Sequence, residues 1–88
     1  MHRLEYKLYT LDNQFIMETD DFPIDFTGIA FNTKPDRKRW LLNGKLHNLS
    51  GPAVEWGNGP KDWYIDGKRV TKKEHKLLVD TMKLKDLV

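Results

Sequence analysis

The sequence predicts a mainly β domain of the α+β class, in which an antiparallel sheet of β-hairpin repeats follows an N-terminal hairpin and precedes one C-terminal amphipathic helix. Three observations predict this architecture. Alternating apolar and polar residues are separated by short turn signals over residues 4–70. The stretch Trp-Leu-Leu-Asn-Gly-Lys at positions 40–45 returns as Trp-Tyr-Ile-Asp-Gly-Lys at positions 63–68, an offset of 23 positions. Residues 71–88 change to a helical period.

Length and composition place the chain among small single domains. It has 88 residues and no cysteine, so neither a disulfide framework nor a thiolate metal site is available. The N-terminus lacks the apolar segment of a signal peptide. No apolar run approaches the roughly 18–20 residues that a membrane span needs. We therefore expect a cytoplasmic protein that has no membrane partner.

Residues 1–26 are predicted to form the N-terminal hairpin and an acidic loop. Apolar side chains alternate along residues 4–11, which is typical of a strand with one buried face. Asp12-Asn13 is a turn signal, because both side chains tolerate a positive φ and bond to the local backbone. Residues 14–19 form the returning strand. Residues 20–25 contain Pro and three Asp, and are expected to be a connecting loop.

Residues 27–70 are predicted to hold two to three β units of 23 residues. Asn43-Gly44 and Asp66-Gly67 favour type I′ hairpin turns, which need a positive φ at both central residues. Residues 34–37 are expected to form another turn, since Pro lies early in this segment. These units are expected to form a sheet of about five to seven strands, in addition to the N-terminal hairpin. The recurrence of the three tryptophans predicts that they form the core: Trp40, Trp56 and Trp63.

Residues 71–88 are predicted to form the C-terminal helix. Thr71 and Glu74 have the spacing of a capping box, in which each side chain bonds the other residue's amide. A helix of roughly 12–14 residues is marginal alone, so its apolar face should dock on the sheet. His75, in the first turn, is expected to be exposed. The predicted apolar face consists of Leu77, Leu78, Thr81, Met82 and Leu84.

Charge is unevenly distributed along the chain, although the net charge is only +2. Residues 1–33 carry two basic and six acidic side chains, whereas residues 34–88 carry thirteen basic and seven acidic ones. Such asymmetry is found in partner-facing surfaces, and also in solvated lysine-rich surfaces that have no partner. The candidate partner-binding residues are Lys34, Arg37, Lys38, Arg39, Lys72, Lys73 and Lys76.

The repeated stretch also resembles a known repeat. Residues 40–53 read W-x-x-N-G-K-L-H-x-x-x-G-P-A, which is similar to the repeat W-x-x-N-G-K-x-H-R-x-x-G-P-A of small uncharacterised phage and bacterial proteins. Asn48 occupies the position of the Arg in that pattern. The repeat is loosely similar to MORN-type β-hairpin repeats. The resemblance covers about residues 27–75, and implies a phage or phage-like origin without implying an activity.

The sequence contains no pattern that indicates catalysis. The only histidines, His2, His47 and His75, lack metal-binding spacings, and we expect neither a metal nor another cofactor. His47 is expected to be structural, with its ring bonded to the backbone. Ser50 lacks the flanking residues of a nucleophile elbow, and residues 57–59 lack the lysine of a phosphate-binding loop. We therefore expect a protein that is not an enzyme.

The function predicted from the sequence is that of a non-catalytic protein-interaction module. Its expected partner is a phage or host protein, and the most concrete form is a phage-encoded inhibitor or modulator of a host defence or transcription protein. The alternative is nucleic-acid binding by the basic segment 34–39 and neighbouring aromatic residues. A homodimer formed through open sheet edges is a further expectation.

Overall fold

The computed structural model describes residues 5–33 and 36–86, with side-chain surroundings as far as residue 83. Within this part of the chain, eight antiparallel strands form a sheet and one helix follows, which confirms the mainly β, α+β prediction. Six of the eight strands lie between residues 28 and 70, which agrees with the five to seven strands expected for the repeat units. The elements are β1 Tyr6–Tyr9, β2 Phe15–Thr19, β3 Gly28–Thr33, β4 Asp36–Leu42, β5 Lys45–Leu46, β6 Val54–Trp56, β7 Lys61–Ile65, β8 Lys68–Val70 and α1 Lys72–Asp86.

The strand order departs from the chain order only at the N-terminal end. The sheet runs β2-β1-β3-β4-β6-β7-β8, and β5 pairs with β4 beside β6. The predicted N-terminal hairpin is present, and Asn13 in its turn has a φ of 75°. After β2 the chain passes β1 to reach β3. Phe22 and Phe26 of this crossing segment pack on the central cluster of Leu8, Ala30 and Leu41.

The second hairpin joins β3 to β4, and it is tighter than predicted. Thr33 pairs with Asp36, so β4 already begins inside the turn predicted at residues 34–37. Lys34 and Pro35 lie outside the described residues. As a result, Arg37 is a strand residue, and the strand alternation determines on which face of the sheet its side chain lies.

Two further hairpins have equivalent registers 23 positions apart. Leu42 pairs with Lys45 in one, and Ile65 pairs with Lys68 in the other. The turn Asn43-Gly44 has φ values of 50° and 79°, and Asp66-Gly67 has 52° and 81°. Positive φ at both central residues is the property that the type I′ prediction required.

The tryptophans lie at the surface of the sheet, and the prediction that they form the core was wrong. Trp40, Trp56 and Trp63 are half-buried. The fully buried positions include Leu8, and also Ala30 and Ala53, which are 23 positions apart and have no exposed surface. In a sheet without a second complete layer, large rings cover the strands and keep one side in water. The tryptophans therefore recur because their rings cover the strands, and the two alanines lie in the interior.

The helix begins as predicted but docks through a different face. Thr71 donates its N–H to Glu74 at 2.9 Å, and the Glu74 N–H bonds the Thr71 hydroxyl at 3.0 Å, so the capping box is confirmed. His75 was predicted to be exposed, but it is only 5% exposed. Its ring contacts Trp63 with 4.8 Å between centroids. Because only Thr71 separates β8 from α1, the cap sets the rotation of the helix, which turns His75 towards the sheet.

Candidate functional site

The basic strand β4 places its three cationic side chains on two faces of the sheet. Arg37 and Arg39 are two residues apart and share one face, whereas Lys38 belongs to the other. The Arg37 guanidinium lies 5.2 Å from the centre of the Trp56 ring. The Arg39 guanidinium lies 4.7 Å from the Phe22 ring, and its Nη2 donates to Asn32 Oδ1 at 3.2 Å. The two arginines are therefore held against aromatic surface.

Arg37 and Arg39 carry charge that no carboxylate of the described residues neutralises, since neither forms an ion pair there. The Nε–H of each is buried without a hydrogen-bond acceptor. Burial lowers the pKa of Arg39, the positive charge of Arg37 lowers it further, and Tyr6 raises it. Such a pair would be stabilised by an anionic group.

Lys38 covers the aromatic residues of the opposite face. Its ammonium lies 4.6 Å from the Trp40 ring and 5.3 Å from the Phe31 ring. The aromatic faces nearest the basic segment are thus occupied by cations of the same chain. This arrangement is suited to contacts with anions, and less suited to base stacking, which needs an open ring face.

The other predicted partner-binding lysines form a second group on α1. Lys72, Lys73 and Lys76 are exposed on its first turns, and the Lys72 ammonium lies 5.9 Å from the Trp63 ring. Lys34 lies outside the described residues. The structure therefore divides the predicted binding residues between a strand and a helix, and does not bring them into one compact cluster.

An exposed apolar face on α1 accompanies these lysines. Leu77, Leu78 and Met82 are 59%, 42% and 36% exposed, so the prediction that this face docks on the sheet was wrong. The side chain of Leu84 lies outside those described. The sequence contained the apolar pattern, but nothing in it indicated which side of the helix the sheet would cover. Exposed apolar residues at helical spacing are a recurrent feature of protein-binding surfaces.

His47 and His75 have structural roles. His47 Nδ1 accepts a hydrogen bond from the Asp66 N–H at 2.9 Å, which confirms the expected backbone contact. His75 Nε2 lies 2.6 Å from the Asn48 carbonyl oxygen and donates to it. Within residues 5–33 and 36–86, no three His, Asp or Glu residues are grouped to hold a metal ion. Nor does this part of the chain contain a helix long and apolar enough to cross a bilayer.

Comparison with known proteins does not assign this chain to a family. No protein-family model matches this chain, and neither a curated protein nor a solved structure matches it significantly. The geometry of the two surfaces is consequently the basis for assigning a function.

Proposed function

We propose that the protein is a non-catalytic interaction module that binds another protein through α1. The observation that carries the proposal is the rotation of the helix. His75 is turned to the sheet, and Leu77, Leu78 and Met82 are left in water. An amphipathic helix that presents such residues at i, i+1 and i+5 can place them in an apolar groove of a partner.

The chemistry of the helix also indicates the kind of groove. Residues 72–86 include five lysines and three acidic residues, and Lys72, Lys73 and Lys76 are all exposed. A partner with an apolar groove and an acidic rim complements this surface. A second copy of the same helix would bring like charges together, which disfavours a helix-to-helix homodimer. The resemblance to phage proteins makes a host protein the expected partner.

The test is a capture experiment that compares surface variants of the full chain. Leu77→Ser combined with Met82→Ser should abolish capture of a specific protein from bacterial lysate, as measured by quantitative mass spectrometry. A photo-crosslinker at Leu78 should attach to that same protein. Folding should be preserved, because exposed leucines contribute little to stability.

The matched control is Leu42→Ser, which alters an exposed leucine of β4 away from the helix. It should leave capture unchanged. Capture that survives the α1 double variant, or a Leu78 crosslinker that does not attach to the captured protein, would refute the use of the helix.

Nucleic-acid binding is the second candidate, and the unneutralised Arg37 and Arg39 pair is the observation that favours it. Fluorescence anisotropy with a single-stranded oligonucleotide tests this candidate at about 20 mM salt, where phosphate contacts are strongest. Binding should weaken steeply with salt, and Arg37→Gln with Arg39→Gln should flatten that dependence. No detectable binding at low salt would eliminate this candidate.

A further inference from the structure

Among the described residues, no strand pairs with one part of the β7 edge, although the preceding repeat unit has a strand at the equivalent position. Lys38 and Arg39 of β4 pair with β3 on one side and with β6 on the other. The residues 23 positions later are Lys61 and Asp62 of β7. These pair with β6 on one side, but the pairing of β7 with β8 begins only at Trp63.

The backbone polarity of β7 favours strand addition at this edge. The Pro60 carbonyl oxygen accepts a hydrogen bond from the amide of Trp56 in β6, and the Asp62 carbonyl oxygen accepts one from Ala53, the residue before β6, at 3.0 Å each. Because successive residues of a strand direct their N–H and C=O groups to opposite sides, those of Lys61 point to the edge that has no strand. Unpaired backbone groups of this kind are a template for an extended peptide.

A groove of about 430 Å³ lies at the same place. We call it the β7 groove, and its lining includes Lys61, Asp62, Trp63, Arg69, Lys72 and Glu74. One wall is the sheet and another is the first turn of α1. The groove is therefore bounded on two sides, which suits it to hold an extended peptide.

The charges of the β7 groove that remain available are positive. Asp62 accepts hydrogen bonds from Arg69 and from the Trp56 indole, at 3.0 Å each. The Glu74 carboxylate is engaged in the capping box. Lys61 and Lys72 form no ion pair among the described residues. An acidic segment would complement them.

We propose that the β7 groove binds an acidic, extended peptide, which adds to β7 as an antiparallel strand in the way that β6 adds to β4. This peptide site is separate from the apolar face of α1 and goes beyond the proposed function. In the β4–β6 pairing, Glu55 lies opposite Lys38. The equivalent peptide residue lies opposite Lys61 and bonds its backbone.

The probes are synthetic peptides based on residues 50–57, Ser-Gly-Pro-Ala-Val-Glu-Trp-Gly, acetylated and amidated. An acidic version has Asp at both ends. Amide chemical-shift changes, measured by NMR on the full chain, should centre on Lys61 and Trp63. The acidic peptide should bind about tenfold more tightly than the parent, and more weakly as salt increases.

Methylation of the peptide backbone tests the strand geometry without altering the protein. In the fold, the Trp56 N–H bonds to β7, so alternation directs the Glu55 N–H to β4. N-methylation at the Glu of the peptide should therefore reduce binding at least about tenfold. N-methylation at the Trp is the matched control and should be tolerated. Equal loss from both methylations, or from neither, would overturn strand addition.

Charge reversal on the protein tests the proposed peptide class. Lys61→Glu and Lys72→Glu should each remove the preference for the acidic peptide, whereas Lys68→Glu, on an exposed β8 residue, should keep it. If the protein self-associates and amide shifts change in the edge strand β2, Phe15–Thr19, a second copy is the occupant and the acidic peptide is refuted. Peptide-induced shift changes confined to α1 would also refute binding in the β7 groove. Loss of peptide binding in the Lys61→Glu variant, with lysate capture intact, would distinguish this site from the α1 surface, since Lys72 borders both.

Discussion

At the scale of single residues, His75 is the side chain that connects α1 to the sheet. It is buried, donates to the Asn48 carbonyl oxygen and packs edge-on against Trp63. His75→Ala removes the ring and leaves that carbonyl without its partner. We expect a loss of about 2–3 kcal/mol in the free energy of unfolding.

Urea unfolding, followed by tryptophan fluorescence, measures this loss. Lys76→Ala changes the next residue, which is exposed, and should alter stability by less than about 0.5 kcal/mol. Equal effects of the two substitutions would mean that His75 does not hold the helix in place.

Glu74 makes the start of the helix sensitive to acid. The hydrogen bonds from the Thr71 amide and hydroxyl lower the pKa of Glu74 below its ordinary value. A lowered folded-state pKa stabilises the fold above the unfolded-state pKa, and this contribution is lost as the pH falls through the folded-state value. Glu74→Gln keeps an acceptor but does not titrate in this range. The urea midpoint of the variant should therefore change less than that of the parent between about pH 6 and about pH 3.

At the scale of elements, the two type I′ hairpins have equivalent registers but different surroundings. A Cβ at Gly44 would collide with the backbone carbonyl oxygen of Ile24, whereas one at Gly67 would meet only the Lys45 side chain at 3.5 Å. Both glycines have a positive φ, so alanine strains each turn by about 1 kcal/mol. Gly44→Ala should be more destabilising than Gly67→Ala, because the crossing segment must also move.

Gly51 supplies the reference for this comparison. It has no positive φ, and an added Cβ would contact only the Asn48 side chain at 3.7 Å. Gly51→Ala should therefore be tolerated in the same urea series. If all three variants have the same urea midpoint, the crossing segment does not pack closely against the Asn43-Gly44 turn.

At the scale of the whole molecule, the domain is elongated. Its extents are 54 × 26 × 19 Å. Its radius of gyration is 14.3 Å, against about 12 Å for a compact chain of this length. The buried cluster lies near one end, around β1, β3 and β4. Stability should consequently differ along the sheet.

Amide hydrogen exchange should resolve this difference. Slowest exchange is expected in β3 and β4, which have neighbours on both sides, and faster exchange in the edge strands β2 and β8. Uniform protection across all strands would show instead that the domain opens only as one unit.

Sequence patterns predicted the parts of this fold that depend on neighbouring residues. The turn Asn43-Gly44 and the Thr71–Glu74 cap form as expected, because their chemistry is local. The rotation of α1 and the partial exposure of Trp40 were not predictable, because both depend on where distant segments pack. Lys38 could be identified as a candidate by its charge, but its position over the Phe31 ring of β3 required the register of the sheet.

The order of the strands also has a consequence for synthesis on the ribosome. The N-terminal hairpin leaves the exit tunnel first, yet Leu8 of β1 packs against Ala30 and Leu41, which are made later. The Gly44 amide then bonds the Phe26 carbonyl oxygen at 2.9 Å and secures the crossing segment. An isolated hairpin is marginal in water. The first two strands of the nascent chain therefore remain without their packing partners until the Asn43-Gly44 turn has left the tunnel, and the core can form only then.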